Sequence, residues 1–141
     1  MNFEYPYSEE QENFRKEVRS WLQKNIPEEM QSPIDPAEFS KEMYDFWCTQ
    51  HKELGAKGWL HPTFPKEYGG GGLTGEHETI LQEEFHRYRV KGTFTVDVVL
   101  PALLVWGTEE QKQKFLAPIL KGQKNAWQKF TEPKSGADLA N

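Results

Sequence analysis

The chain has 141 residues and a net charge of −5, with acidic and basic residues mixed along its length and one cysteine, Cys48. That size suits a single domain with one core. The absence of a basic stripe argues against a nucleic-acid partner, and the lone cysteine excludes an internal disulfide and a cysteine-based zinc site. The acidic start, Met1-Asn2-Phe3-Glu4-Tyr5, has no apolar run behind it and is no secretory signal; the longest apolar stretch, Val98–Trp106, is too short to cross a bilayer. These features describe a soluble, cytoplasmic globular domain with no membrane partner.

Ser8 and Gln11 form a capping box, in which each side chain satisfies the other's backbone N–H. Phe14, Val18, Trp21 and Leu22 follow at helical spacing, which predicts a first helix over roughly 9–24, stopped by Asn25-Ile26-Pro27. Residues 27–36 hold three prolines and read as a loop. A second helix carries Phe39, Met43, Phe46, Trp47 and Leu54 on one face, with Gly55 as the residue just past its end. Two prolines and the run Gly69–Gly72 exclude regular structure between Gly58 and the next helix. Thr74 caps a third helix with Leu81, Phe85 and Tyr88 on one face.

Thr93–Trp106 has two readings. Phe94, Val96 and Val98 alternate with polar residues as in a strand. The length of the segment and Pro101 inside it favour a buried, proline-kinked helix instead. A fifth helix starts at Thr108, which pairs with Gln111 in a second capping box, while Glu109 and Glu110 face the positive end of the helix dipole. Phe115, Leu116, Ile119 and Leu120 form its apolar face, and Lys121-Gly122 ends it. Asn125–Thr131 reads as one strand. A lone strand cannot satisfy its own backbone groups, so its neighbours lie outside this sequence or in another chain. The expected fold is mainly α: about five helices over 1–122, then the opening strand and turn of a β-domain over 123–141.

Three motifs invite chemistry. Glu83-Glu84-Phe85-His86 contains the Glu-x-x-His spacing of di-iron helices. That site needs a second copy, and neither His51, His61 nor His77 follows a glutamate at that interval. A polar helix face accounts for it, with Glu84 partly buried against a basic partner. Gly69–Gly72 lacks the Gly-Lys-Ser/Thr of a phosphate loop and the preceding strand of a dinucleotide site, and reads as a flexible loop. Thr131-Glu132-Pro133-Lys134-Ser135-Gly136-Ala137-Asp138 places a turn at a strand end, where outward backbone amides can hold an anion or a flavin edge, or simply make a turn.

Gly107-Thr108-Glu109-Glu110-Gln111-Lys112, Phe115 through Gly122, and Thr131-Glu132-Pro133 with Gly136 and Asp138 together resemble the acyl-CoA dehydrogenase family. Gly58-Trp59, Pro65 through Gly70 and Glu83-Glu84 match its N-terminal pattern in the same order. The resemblance covers about 58–138. It implies an N-terminal helical domain, a middle β-domain and a C-terminal bundle, of which this chain covers the first and the start of the second.

The resemblance also implies FAD as cofactor and an acyl-CoA thioester as substrate, with a proton leaving the α-carbon and a hydride the β-carbon. Gln128, Phe130 and Thr131 would contact flavin, and Gly136 and Ala137 would lie near its pyrophosphate and the CoA portion. Ala137 departs from the family's usual serine and removes a donor. Thr93 and Asp97, one helical turn apart, would face the acyl pocket, or else serve as a cap and a surface charge. The catalytic base lies outside this chain, so the chain alone would be inactive. No metal is implied. A homo-oligomer and an electron-transfer flavoprotein are the implied partners of a complete enzyme. Two rival readings remain: an acyl-CoA oxidase or flavin monooxygenase on the same scaffold, and a non-catalytic helical module that binds a partner through its exposed strand.

Overall fold

The computed structural model describes residues 6–31, 39–91 and 98–126. They form α1 (Glu9–Asn25), α2 (Lys41–Ala56), α3 (Gly75–Arg87), α4 (Val99–Trp106), α5 (Glu109–Gln111) and α6 (Ala117–Leu120), with a π-helical turn at Lys112–Leu116 joining the last two. Short 3-10 turns occupy Glu28–Met30 and Lys66–Tyr68. Both capping boxes are present, Ser8 with Gln11 and Thr108 with Gln111. Among the described residues the architecture is helical, as expected. Asn125 and Ala126 carry no strand, and the rest of the expected strand lies outside the described residues.

Three helices end by one device. Trp59 N–H bonds to the Leu54 carbonyl, Val90 N–H to Phe85 and Gln123 N–H to Pro118; each is paired with a tighter inner bond. This is the Schellman closure, which needs a left-handed residue just past the helix. Gly58 (φ +70°) and Gly122 (φ +66°) supply it without strain, whereas Arg89 (φ +50°) supplies it against the preference of an L side chain. Gly55, expected past the end of α2, is inside that helix. The Lys121 backbone packs directly on it and buries it, leaving no room for a Cβ. Phe39, expected within α2, precedes its N-cap Ser40.

α1 packs chiefly on α3. Val18, Leu22, Ile26, Trp47, Leu54, Trp59 and Leu81 form the first core, flanked by half-buried Phe14, Trp21, Phe46, Phe85 and Tyr88. Tyr68, Leu100, Leu116, Ala117, Ile119 and Leu120 form a second, smaller one. Phe115, expected on the apolar face, is 47% exposed. Pro118 has no N–H and its ring would crowd the carbonyl four residues back, so the helix widens to a π turn, with Ala117 N–H reaching the Lys112 carbonyl. The extra residue rotates Phe115 outward.

α4 also departs from expectation. Only Leu100 is fully buried; Val105 and Trp106 are 65% and 85% exposed. Pro101 lies in the first turn, where a backbone N–H has no helical partner anyway, so no kink follows. The glycine run is a closed, hydrogen-bonded loop. Gly70, Gly71, Gly72 and Leu73 donate in turn to Pro65, His61, Phe64 and Pro62. A Cβ on Gly70 or Gly71 would strike the Phe64 or Gly58 backbone, so these glycines serve close packing of the loop on itself.

Candidate functional site

The end of α2, the loop over residues 60–64, α3 with the turn after it and the start of α4 line a partly open cavity of about 540 Å³. Leu54, Phe64, Phe85, Val90 and Leu100 give it apolar walls, and Glu78, Gln82, His86 and Lys91 a polar side. His51 fixes one edge. Its Nε2 lies 2.9 Å from the Lys91 carbonyl, which only accepts, so Nε2–H is the donor. Burial lowers the His51 pKa, and the bond to Lys91 partly restores it, leaving a neutral ring. The cavity can receive an apolar group with a polar end. No periodic signal in the sequence marks it, because its walls come from separate elements.

The carboxylate of Glu84 is fully buried. Arg19 grips it with Nε to Oε2 at 2.9 Å and Nη2 to Oε1 at 2.7 Å, and Arg15 Nη1 adds a contact at 3.2 Å. The hydrogen bonds from Arg19 lower the Glu84 pKa most; desolvation opposes them and Arg15 adds to the lowering. Arg15 also pairs with Glu83 at 2.6 Å, and Tyr7 donates to Glu83 at 2.9 Å. The Glu-x-x-His spacing therefore spends its glutamates on α1. The described residues hold no group of three His, Cys, Asp or Glu able to bind a metal ion. The expected basic partner of Glu84 is present in Arg19 and Arg15, and Arg87 on α3 itself adds a longer ion pair at 3.9 Å.

Thr93 and Asp97, expected from the resemblance to face an acyl group, lie outside the described residues, bracketed in sequence by the cavity-lining Lys91 and Leu100. Gln128, Phe130, Thr131, Gly136 and Ala137 lie outside them too. Ala126, the last of the described residues, is half-buried against the second core.

The family model "Acyl-CoA dehydrogenase, N-terminal domain" matches residues 8–123. The chain belongs to the acyl-CoA dehydrogenase family. Acyl-CoA dehydrogenase FadE26 of Mycobacterium tuberculosis is 30% identical over 136 residues, covering 96% of this chain and 34% of the relative. The caffeyl-CoA reductase-Etf complex subunit CarC of Acetobacterium woodii is 33% identical, covering 94% and 34%. The ChsE4-ChsE5 complex from M. tuberculosis superposes with a TM-score of 0.72 at 30% identity, covering 99% of this chain and 34% of that one. The chain thus spans about a third of the length of these relatives. Among the described residues no helix is long and apolar enough to cross a membrane.

Proposed function

We propose that this chain is the N-terminal part of an FAD-dependent acyl-CoA dehydrogenase that oxidises the α,β-bond of an acyl-CoA thioester. The family match over residues 8–123 carries this reading. Residues 123–141 open the middle β-domain. FAD, when bound, supplies the hydride acceptor. Gln128, Phe130 and the Thr131 hydroxyl hold the flavin edge, while the Gly136 and Ala137 amides meet its pyrophosphate and the CoA portion. Thr93 and Asp97 face the acyl group. The catalytic base lies elsewhere in the complete enzyme, which works as an oligomer and passes electrons to an electron-transfer flavoprotein. The reductase named for A. woodii favours a second reading, in which the same scaffold reduces an enoyl-CoA.

The complete protein containing this chain should carry stoichiometric flavin that an acyl-CoA bleaches; bleaching by no acyl-CoA, with reoxidation by an enoyl-CoA, would select the reductase direction. A complete protein with no flavin would sink both. Ala137→Ser should restore one donor and tighten FAD or acyl-CoA by roughly 2- to 12-fold, the equivalent of about 0.5–1.5 kcal/mol. No change in either affinity would remove Ala137 from the site. The chain alone should hold FAD no tighter than about the millimolar range, since an open surface loses most of the burial that retains a cofactor.

A further inference from the structure

A groove of about 490 Å³ lies between the end of α2, the glycine loop and the turn after α6. Four lysines line it, Lys52, Lys57, Lys66 and Lys121, and no carboxylate does. They come from three separate segments, so the cluster is made by the fold and is invisible as a run in the sequence. Gly55 allows α2 to touch the Lys121 backbone, and Gly69 lets the aliphatic stem of Lys121 cross the loop. Lys57 holds its ammonium 4.6 Å from the Trp59 ring centroid. None of the four lysines is paired with a carboxylate among the described residues. Glu53 and Glu67 neighbour them in sequence but stay outside the lining.

Helix ends account for part of this charge. Lys57 and Lys121 cap α2 and α6, where each carbonyl end carries about half a negative charge. Two such ends offset about one of the four positive charges. The surplus stands on a chain whose net charge is −5. We propose that this groove binds a phosphate-bearing anion with two or more negative charges. All four cations are lysines, mobile point charges that can each meet a different oxygen of a multiply charged phosphate. The amides of Gly69, Gly70 and Gly71 are committed to Lys66, Pro65 and His61, so the ammonium groups do the binding. The charge of the groove does not depend on the proposed activity.

Titration calorimetry on the full chain with inorganic pyrophosphate tests this. Saturable one-to-one binding is expected, weakening as salt rises from about 50 to about 300 mM, because exposed charges are screened. Lys52→Gln/Lys66→Gln keeps much of each stem and should weaken binding at least about tenfold. Lys16→Gln/Lys24→Gln on α1 should leave it unchanged. ADP titrated alongside distinguishes the source: affinity equal to that of pyrophosphate means a free phosphate is read, and tighter binding means a nucleotide. Thermal melts check that each variant folds, and Lys57→Gln is the reserve should the first pair fail. No saturable heat, or equal loss in both double variants, would overturn the proposal. So would a hexaglutamate peptide that binds more tightly than pyrophosphate, which would point to an acidic protein segment.

Discussion

The α1–α3 half and the α4–α6 half solve the problem of burial differently. The first closes a core around Trp47, Leu22 and Leu54 and adds a buried carboxylate gripped by two arginines. The second buries mainly Leu100 and the last turn, and leaves Val105, Trp106 and Phe115 facing water. An apolar helix with one unburied side is a surface shaped for something else to cover. Among the described residues the first half therefore buries its apolar surface within itself, whereas the second leaves part of its own exposed.

Breaking the buried charge cluster should separate the halves most sharply. Glu84→Ala strands Arg15 and Arg19, and a broken buried pair costs about 3–5 kcal/mol. Arg19 can turn partly to water, so the lower end is expected in a urea titration; a cost below about 1 kcal/mol would show that the pair contributes little. Acid addresses the same half. Both His51 and Glu84 have lowered pKa values when folded. Their stabilising effect is present above the unfolded values, about 6.5 and 4.5, and is lost as pH falls below each. Stability should fall in two stages, the first removed by His51→Gln and the second by Glu84→Gln, as followed by circular dichroism.

Gly55→Ala strikes the contact between the halves. The new Cβ would sit 2.5 Å from the Lys121 carbonyl carbon, and such overpacking costs about 1–3 kcal/mol. A melting temperature equal to wild type would mean that the α2–α6 contact yields freely. Arg89→Gly should stabilise by up to about 1 kcal/mol, since glycine enters the left-handed region without strain. A loss instead would give the Arg89 side chain a role of its own. The smallest effect belongs to α4: Trp106→Ser should change stability by no more than about 0.5 kcal/mol, being 85% exposed. A loss above about 1 kcal/mol in a urea titration would show that Trp106 is packed in solution.

The parts legible in the sequence were those written locally. Ser8 with Gln11, Thr108 with Gln111, and Gly122 each act within a turn, and each was readable. Gly55 misled because its small size serves a distant backbone, while Gly58, three residues on, ends the helix. Phe115 misled because Pro118 changes the helical period upstream of itself. α4 read as buried because composition records apolarity and not whether a neighbour is present. Glu84 was read as partly buried and is fully so, and its partners Arg19 and Arg15 lie 65 and 69 residues away. The cavity and the lysine groove depend on such long-range pairings throughout. The flavin and substrate residues rested on family resemblance alone.

The pairing of α1 with α3 has a kinetic side. Everything between Asn25 and Gly75 must be looped out before the two helices can meet, while α4, the π turn and α6 are neighbours along the chain. Loop-closure entropy grows with the length enclosed, so contacts across that span come at a higher barrier than local ones. The arginine clasp on Glu84 then forms only as the ends of that loop arrive, and its stabilisation appears mainly as slow opening rather than fast folding.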